Sequence, residues 1–354
     1  MEAFMNKLHD FTGSRISYRN YGGSDRKFGI IYNNEVYMLK FAERHEKRDD
    51  FTTSYLNKPT SEYISSHIAE AIGISAHETL LGIYEGEIAV ACKDFRSPTD
   101  RNIEFHDIMR SVYDAKDVKK IPKLDQIYYT IQNSPLIPVD LKQASIEHYW
   151  NTFVLDALVG NFDRHTGNWG YLADDDNIRC APVYDLGSTL FPQIADDGMK
   201  EIMDDPYEIA KRCLVFPSPA LHLSYEKTGK VGYYDLLSSG YDKECCKALI
   251  RVFPKINLAD IYDMIDNTPI ITDVKKEFYK IILSARKELI LDNAYEKCIH
   301  EKYSDEAYLR IAKGIQFSEE LLKEKMRSGE IALDLNHIHD MIQSNRDDSI
   351  LDKD

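Results

Sequence analysis

Long apolar runs are missing from the sequence, and the start of the chain mixes Glu2, Lys7 and Asp10 where a secretory signal would be apolar. No stretch therefore predicts a signal peptide or a membrane span. Cysteine is scarce as well: the 6 thiols lack the paired spacing of a zinc site, and the neighbours Cys245 and Cys246 would be awkward to bridge. We expect reduced, core-packed cysteines and a cytoplasmic protein.

Positive charge is in deficit. The chain carries 44 lysines and arginines against 59 acidic residues, a formal net charge of -15. A protein with this net negative charge is repelled by a phosphate backbone, so we expect no direct binding of nucleic acid.

Zinc and calcium sites are not favoured either. The acidic run at residues 174–177 lacks the ligand spacing and closing glutamate of a calcium loop, and His337 and His339 have no cysteine nearby.

The length and composition are those of a folded protein. With 354 residues, 43% of them hydrophobic and 29% charged, the chain suits two lobes that share a cleft. Alternating apolar runs predict two β-hairpins, at residues 28–41 and 77–92, each with a turn at its centre. A helix is predicted between them, from Pro59 to just before Gly73. An antiparallel sheet with one helix packed on it follows from this order.

Helical periodicity dominates the rest of the chain. The strongest pattern spans residues 146–159 and stops at Gly160. Near the end, two short amphipathic helices begin at Ser304 and Ser318, and they either pack on the helical lobe or bind a partner or second copy. We predict an α+β fold with an antiparallel β lobe at residues 1–95, a mostly helical lobe at 96–300 and a helical extension at 301–354.

Three polar residues have the spacing of a phosphoryl-transfer site. Asp163 and Asn168 lie in the segment NFDRHTGNWG at residues 161–170, and Asp185 follows in a short strand-like segment. Alone, each would more often cap a turn or carry a surface charge. Together they match a site in which Asp163 deprotonates the attacking hydroxyl while Asn168 and Asp185 coordinate Mg²⁺ on the phosphates of ATP.

A lysine and a glutamate in the first lobe fit the same chemistry. Lys40 is flanked by apolar residues near the end of the first hairpin, where a kinase places the lysine that binds the nucleotide phosphates. A strand lysine is also a common solvated edge residue. Glu62 lies in the first turn of the predicted helix, where it would hold Lys40 or stabilise the helix N-terminus by its charge. The two roles are compatible.

Two loops complete the predicted nucleotide site. Gly22 and Gly23 precede the first hairpin and would let backbone N–H groups approach phosphate oxygens, with Ser24 and Lys27 adding a hydroxyl and a charge. A plain surface turn is the alternative interpretation of this loop. The segment Lys93-Asp94-Phe95 follows the second hairpin. Its position alone suggests that it is the strap between the lobes, whose backbone would contact the edge of the adenine ring.

The residues at 161–170, with the Pro-x-Tyr-Asp segment that ends at Asp185, resemble the active-site signature of the HipA-like serine/threonine kinases, including their short, CtkA-type forms. The order Asp-Arg-His, rather than the His-Arg-Asp of ordinary protein kinases, sharpens the likeness. The resemblance implies a two-lobed, protein-kinase-like fold distantly related to phosphatidylinositol kinases. It makes Asp163 the catalytic base, places His165 and Asn168 beside the phosphates, and assigns the metal to Asn168 and Asp185.

The same resemblance implies ATP- and Mg²⁺-dependent transfer to a serine or threonine of a protein. It aligns residues 22–27 with the family's phosphate loop, Lys40 with its nucleotide lysine and residues 93–95 with its adenine strap. It further implies a toxin of a toxin–antitoxin pair, neutralised by a small DNA-binding partner.

Autophosphorylation is a further implication of the family. In some relatives a serine of the phosphate loop is modified, and Ser14, Ser17 and Ser24 are the candidates in this sequence.

Two other functions stay open at this point. A lipid or small-molecule kinase is one, because lipid kinases share the Asp-Arg-His order and no motif fixes the acceptor; the lack of a basic amphipathic segment argues mildly against a lipid. The other is a nucleotide-binding pseudokinase or scaffold, which the complete set of Lys40, Asp163, Asn168 and Asp185 disfavours.

Overall fold

The fold begins with a six-stranded sheet whose strand order is β1-β5-β6-β4-β3-β2. The structure is a computed structural model that describes residues 8–19, 21–22, 26–42, 57–223 and 231–351, with side chains described as far as residue 347. The strands are β1 (His9–Asp10), β2 (Arg15–Ser17), β3 (Lys27–Tyr32), β4 (Glu35–Phe41), β5 (Thr79–Tyr84) and β6 (Glu87–Lys93).

Both predicted hairpins are present. The β3–β4 turn places Asn33 and Asn34 at φ values of 49° and 66°, and the β5–β6 turn places Glu85 and Gly86 at 49° and 82°. Asparagine and glycine tolerate this left-handed conformation better than other residues, which explains the position of the turns.

The sheet departs from the predicted antiparallel pattern at one edge, because β1 pairs in parallel with β5. Glycine permits this contact: a Cβ added at Gly82 would lie 2.2 Å from the carbonyl oxygen of His9. The next residue, Phe11, is 0% exposed and belongs to the small core of this lobe. The sheet is therefore mixed, and burial of Phe11 holds the added strand.

One helix joins the two lobes. Helix α1 (Lys58–Ala71) has a proline in its first turn, and Gly73 follows it at a φ of 76°. Its residues Ile64 and Ile68 are fully buried in the core that also fills the second lobe. Because the helix begins at Lys58, Glu62 lies one turn inside it rather than at its N-terminus. The alternative role of Glu62 as a helix-end charge is therefore wrong.

The second lobe is largely helical. The predicted helix at residues 146–159 is longer than its periodicity indicated, since it begins at Val139 after Pro138. It ends at Val159, and the following Gly160 has a φ of 68°. A small sheet in the order β7-β8-β9 lies beside it. The elements are β7 (Arg101–Glu104), α2 (Phe105–Met109), α3 (Leu124–Asn133), α4 (Val139–Val159), β8 (Gly170–Ala173), β9 (Ile178–Cys180), α5 (Asp196–Met203), α6 (Pro206–Leu214), α7 (Tyr233–Ser238), α8 (Lys243–Val252), α9 (Leu258–Asp266), α10 (Asp273–Arg286) and α11 (Asn293–His300).

The last helices pack on this lobe. They are α12 (Asp305–Lys313), α13 (Glu319–Arg327) and α14 (Leu335–Leu351), and the first two are capped by the side chains of Ser304 and Ser318 as predicted. Phe317, Leu322 and Ile338 are at most 1% exposed and belong to the main core. Packing on the helical lobe, one of the two alternatives left open, is therefore observed.

The architecture is the α+β, two-lobed one that the sequence predicted. The limits of 1–95, 96–300 and 301–354 stay a prediction. Among the described residues, no helix has the length and apolar character that crossing a bilayer requires.

Candidate active site

The loop after α4 is held by a buried acid. Asp156, in the last turn of α4, accepts hydrogen bonds from Asn161 Nδ2 at 2.8 Å and from Arg164 Nε at 3.0 Å. Asn161 in turn accepts the backbone N–H of Asp163 at 2.9 Å, and Tyr233 donates to the Asn161 carbonyl at 2.6 Å. These contacts anchor the turn that presents Asp163 to the cleft.

Arg164 ties this loop to the segment that carries Asp185. Its Nη1 donates to the carbonyl of Asn168 at 2.7 Å and to the carbonyl of Tyr184 at 2.6 Å. The guanidinium is buried with Asp156, so the two loops share one rigid support. Arg164 therefore positions the active-site loops and does not reach into the cleft itself.

Asn168 is oriented for a metal. Its Nδ2 donates to the backbone carbonyl of Asp163 at 2.8 Å, which turns the amide oxygen away from that bond. An amide oxygen and the Asp185 carboxylate are the oxygen ligands that Mg²⁺ prefers. The residue types and this orientation fit the predicted metal pair.

His165 lies beside Asp163 in a fixed orientation. Its Nδ1 accepts the backbone N–H of Gly167 at 3.0 Å, so the neutral ring carries its proton on Nε2, which lies 3.9 Å from Asp163 Oδ1. Burial lowers the pKa of His165, although the charge of Asp163 opposes this. The imidazole is therefore set to donate one hydrogen bond into the cleft.

Lys40 joins the two lobes. Its Nζ donates to Glu62 Oε2 and to Asp185 Oδ1, both at 2.9 Å. Asp185 has a φ of 59°, a backbone conformation that non-glycine residues adopt at an energetic cost and that is common at functional sites. Burial alone would lower the pKa of Lys40, but Asp185 and Glu62 raise it well above its usual value. Lys40 is a fixed cation.

The carboxylate of Glu62 contacts several groups of the site. Besides Lys40, its carboxylate accepts the N–H of Leu186 at 2.9 Å, and its Oε1 lies 3.0 Å from His77 Nε2. Burial opposes ionisation of Glu62, but Lys40 and His77 outweigh it and hold its pKa well below the usual value. The carboxylate is thus ionised and connects the sheet, α1 and the Asp185 segment.

Lys40, Glu62 and Asp185 line one cavity of about 410 Å³ between the lobes, together with Asp163, His165 and Asn168. Gly23 and Ser24, predicted to bind phosphate, lie outside the described residues. The other predicted site residues all contribute to its wall, namely Gly22, Lys27, Lys40, Glu62, Lys93, Asp94, Phe95, Asp163, His165, Asn168 and Asp185.

The comparisons with known proteins identify the family of this chain. The family model of the HipA-like C-terminal domain matches residues 20–223. The serine/threonine-protein kinase CtkA of Helicobacter pylori is 35% identical over 294 residues, which cover 82% of this chain and 88% of that protein. This chain belongs to the HipA-like family.

One solved structure shows the same fold over most of the chain. The crystal structure of the Helicobacter pylori proinflammatory kinase CtkA is similar to this HipA-like chain with a TM-score of 0.78 and 34% identity, and the match covers 84% of this chain and 100% of that one. The HipA, HipB and operator DNA complex of a Shewanella oneidensis MR-1 toxin–antitoxin system matches 80% of this chain and 68% of its own, with 13% identity and a TM-score of 0.42. That second likeness is too remote to bear on function.

The predicted strap, Lys93-Asp94-Phe95, has side chains that point to the cleft and side chains that brace the loop. The Phe95 ring lies 5.7 Å from that of Tyr184, centroid to centroid, and forms part of the cleft wall. The Asp94 carboxylate instead accepts from Arg96 at 2.7 Å and from Tyr21 at 3.2 Å, so it braces the loop. Lys93 pairs with Glu78 at 3.3 Å. Any contact of Asp94 with a nucleotide is left to its backbone.

Sequence reasoning missed several residues of the HipA-like site. Asp156 and His77 are buried polar residues whose partners are distant in sequence, so no local motif marked them. Glu104 lines the cavity, and burial together with the nearby Asp107 raises its pKa. Lys120 lines it as well. The only available signal for Asp156 was an acidic residue on the apolar face of the strongest helix.

A buried cluster in the first lobe resembles a metal site in composition. Glu62, His77 and Cys92 bring three metal-ligating atoms within 4.8 Å of one another. The carboxylate, however, is already occupied by Lys40 and the Leu186 N–H. We therefore assign this cluster to holding Lys40.

Proposed function

We propose that the chain is an ATP- and Mg²⁺-dependent kinase that transfers the γ-phosphoryl group to a serine or threonine of a protein. The relationship to a serine/threonine kinase supports phosphotransferase activity. The single observation that carries the finer proposal is that Asp163, Asn168, Asp185 and Lys40 line one cavity.

The residues divide the chemistry among themselves. Asp163, whose side chain is 45% exposed, would accept the proton of the attacking hydroxyl. Asn168 and Asp185 would hold Mg²⁺, which supplies charge neutralisation on the phosphates when bound. Lys40 would contact the phosphates from the first lobe, held in place by Glu62. His165 would donate a hydrogen bond from its Nε2–H group to a phosphate oxygen.

The acceptor and partners are the finer parts of the proposal. A protein hydroxyl is favoured because the similar CtkA is named a serine/threonine-protein kinase. A cytoplasmic location, a small antitoxin partner and autophosphorylation stay predictions. Of the candidate serines, Ser17 lies in β2 and Ser14 precedes it, whereas Ser24 falls outside the described residues.

The test uses purified protein with γ-labelled ATP and Mg²⁺, offered a panel of proteins and a panel of lipids in parallel. The proposal expects label on protein serine or threonine, located by mass spectrometry. Label found only on a lipid would support the alternative of a lipid kinase. ATP binding without transfer to any acceptor, including the chain itself, would support a pseudokinase.

A further inference from the structure

A loop of the second lobe is attached directly to the catalytic loop. The fully buried Thr166 donates its backbone N–H to the carbonyl of Lys120 at 3.0 Å. Its hydroxyl lies 3.2 Å from the same carbonyl and 3.3 Å from that of Lys119. The backbone of this lysine pair therefore keeps a fixed position relative to Asp163 and His165.

The two lysines differ in where their side chains go. Lys119 donates to the carbonyl of Lys116 at 2.7 Å and takes no part in the cavity wall. Lys120 lines the cavity together with Asp163 and His165. Besides burial, the positive charge of Lys120 lowers the pKa of the nearby His165. Neighbouring lysines on one anchored loop thus present one ammonium to the cleft and one to the surface.

The ammonium group of Lys120 also differs from those of the other cavity lysines Lys40 and Lys93 in its ion pairing. Among the residues that the structure describes, no carboxylate forms an ion pair with its ammonium. Lys40, by contrast, is shared by Glu62 and Asp185, and Lys93 is paired with Glu78. Two carboxylates already balance the charge of Lys40, so a nucleotide gains less from it than from a free cation.

We propose that Lys120 is a second cation of the transfer site, which contacts the γ-phosphoryl group on the side of Asp163. This inference rests on the proposed kinase function. The transferred group must lie between the base Asp163 and the metal ligands Asn168 and Asp185. A cation beside the base therefore faces the oxygens of the transferred group, whereas Lys40 reaches the nucleotide from the other lobe. Charge stabilisation at that point acts mainly in the transition state.

The experiment compares Lys120→Ala with the matched control Lys119→Ala. Both residues are exposed and both variants remove one positive charge while keeping the backbone carbonyls that hold Thr166. We expect Lys120→Ala to lower kcat by about tenfold or more with the KM for ATP changed less than about threefold, and Lys119→Ala to behave as wild type. Lys120→Arg should recover a large part of the lost kcat, because it restores the charge.

Three results would overturn the inference. One is equal activity of Lys120→Ala and Lys119→Ala, and another is a rise in KM with kcat unchanged, which would indicate ground-state binding only. The third is failure of Lys120→Arg to improve on Lys120→Ala. Lack of transfer by the wild-type protein would instead overturn the proposed function, so the two failures are distinguishable.

Discussion

Lys40 Nζ lies 2.9 Å from Asp185 Oδ1, so a strand of the first lobe and the proposed metal-binding loop of the second are joined by a direct ion pair. Glu62 completes the arrangement at 2.9 Å from the same ammonium. The Glu62 side chain is only 1% exposed and that of Lys40 is 13% exposed. The relative position of the lobes is therefore coupled to the charge of one lysine.

Removal of the Lys40 charge should cost stability as well as activity. Lys40→Met leaves the buried Glu62 carboxylate without its cation, and we expect a loss of about 3 kcal/mol in the free energy of unfolding by urea. The control is Lys93→Ala, since Lys93 is 31% exposed and its partner Glu78 is 58% exposed. That variant should stay within about 0.5 kcal/mol of wild type. Equal losses in the two variants would show that the charge of Lys40 does not stabilise the buried Glu62 carboxylate.

Arg164 should not be replaceable by lysine. Arg164→Lys keeps the charge beside Asp156 but cannot make all the bonds to the Asn168 and Tyr184 carbonyls that fix the two loops. We expect a loss of roughly 1.5–3 kcal/mol in unfolding free energy, together with reduced transfer. Arg101→Lys is the control, because Arg101 and its partner Asp175 are 71% and 93% exposed. A harmless Arg164→Lys would show that this support is dispensable.

His148 should make the protein less stable in mild acid. Burial, with a smaller contribution from Arg164, lowers the pKa of His148 to about 4 from an ordinary value of 6.5. Between these values the unfolded chain binds a proton that the folded chain does not, so the free energy of unfolding falls as the pH falls. His148→Gln removes this contribution. From pH 7 to pH 5 the variant should lose about 1–2 kcal/mol less than wild type in urea titrations.

The control for that titration is His300→Gln at an exposed position. It should follow wild type across the same pH range. A His148→Gln protein with the wild-type pH dependence would contradict the assignment of a neutral imidazole to the folded protein.

The choice of substitution at Asp185 should decide whether the fold survives. At a φ of 59°, asparagine is tolerated better than alanine, so Asp185→Asn should fold while losing one charged metal ligand. We expect weaker binding of Mn²⁺ in the presence of ATP, measured by electron paramagnetic resonance, and little transfer. Asp175→Asn, at a 93% exposed turn residue, is the control. Unchanged Mn²⁺ affinity in Asp185→Asn would remove this residue from the metal site.

Local sequence signals predicted the parts of the site that lie within one segment. The turn at Asn33-Asn34 and the spacing of Asp163 and Asn168 were readable because each depends on neighbours in the chain. The arrangement of strand lysine and helix glutamate common to kinases then suggested the pairing of Lys40 with Glu62.

Contacts between distant segments were not readable. Asp156 and Arg164 hold two loops through buried hydrogen bonds. The hydrophobic periodicity of a helix does not show whether an acidic residue on its apolar face has such partners. The parallel strand β1 was missed because His9–Asp10 is too short to show alternation. The ion pairs of the Asp94 carboxylate with Arg19 and Arg96 were also not readable, whereas the predicted role of the strap backbone at the nucleotide stays a prediction.

The most direct test of the central claim is the rate of phosphoryl transfer by Asp163→Asn. The backbone contacts of Asp163 with Asn161 and Asn168 do not involve its carboxylate. The free energy of unfolding of the variant should therefore stay within about 0.5 kcal/mol of the wild-type value. We expect a fall in kcat of about 100-fold or more with ATP still bound. Transfer within about threefold of the wild-type rate would contradict it.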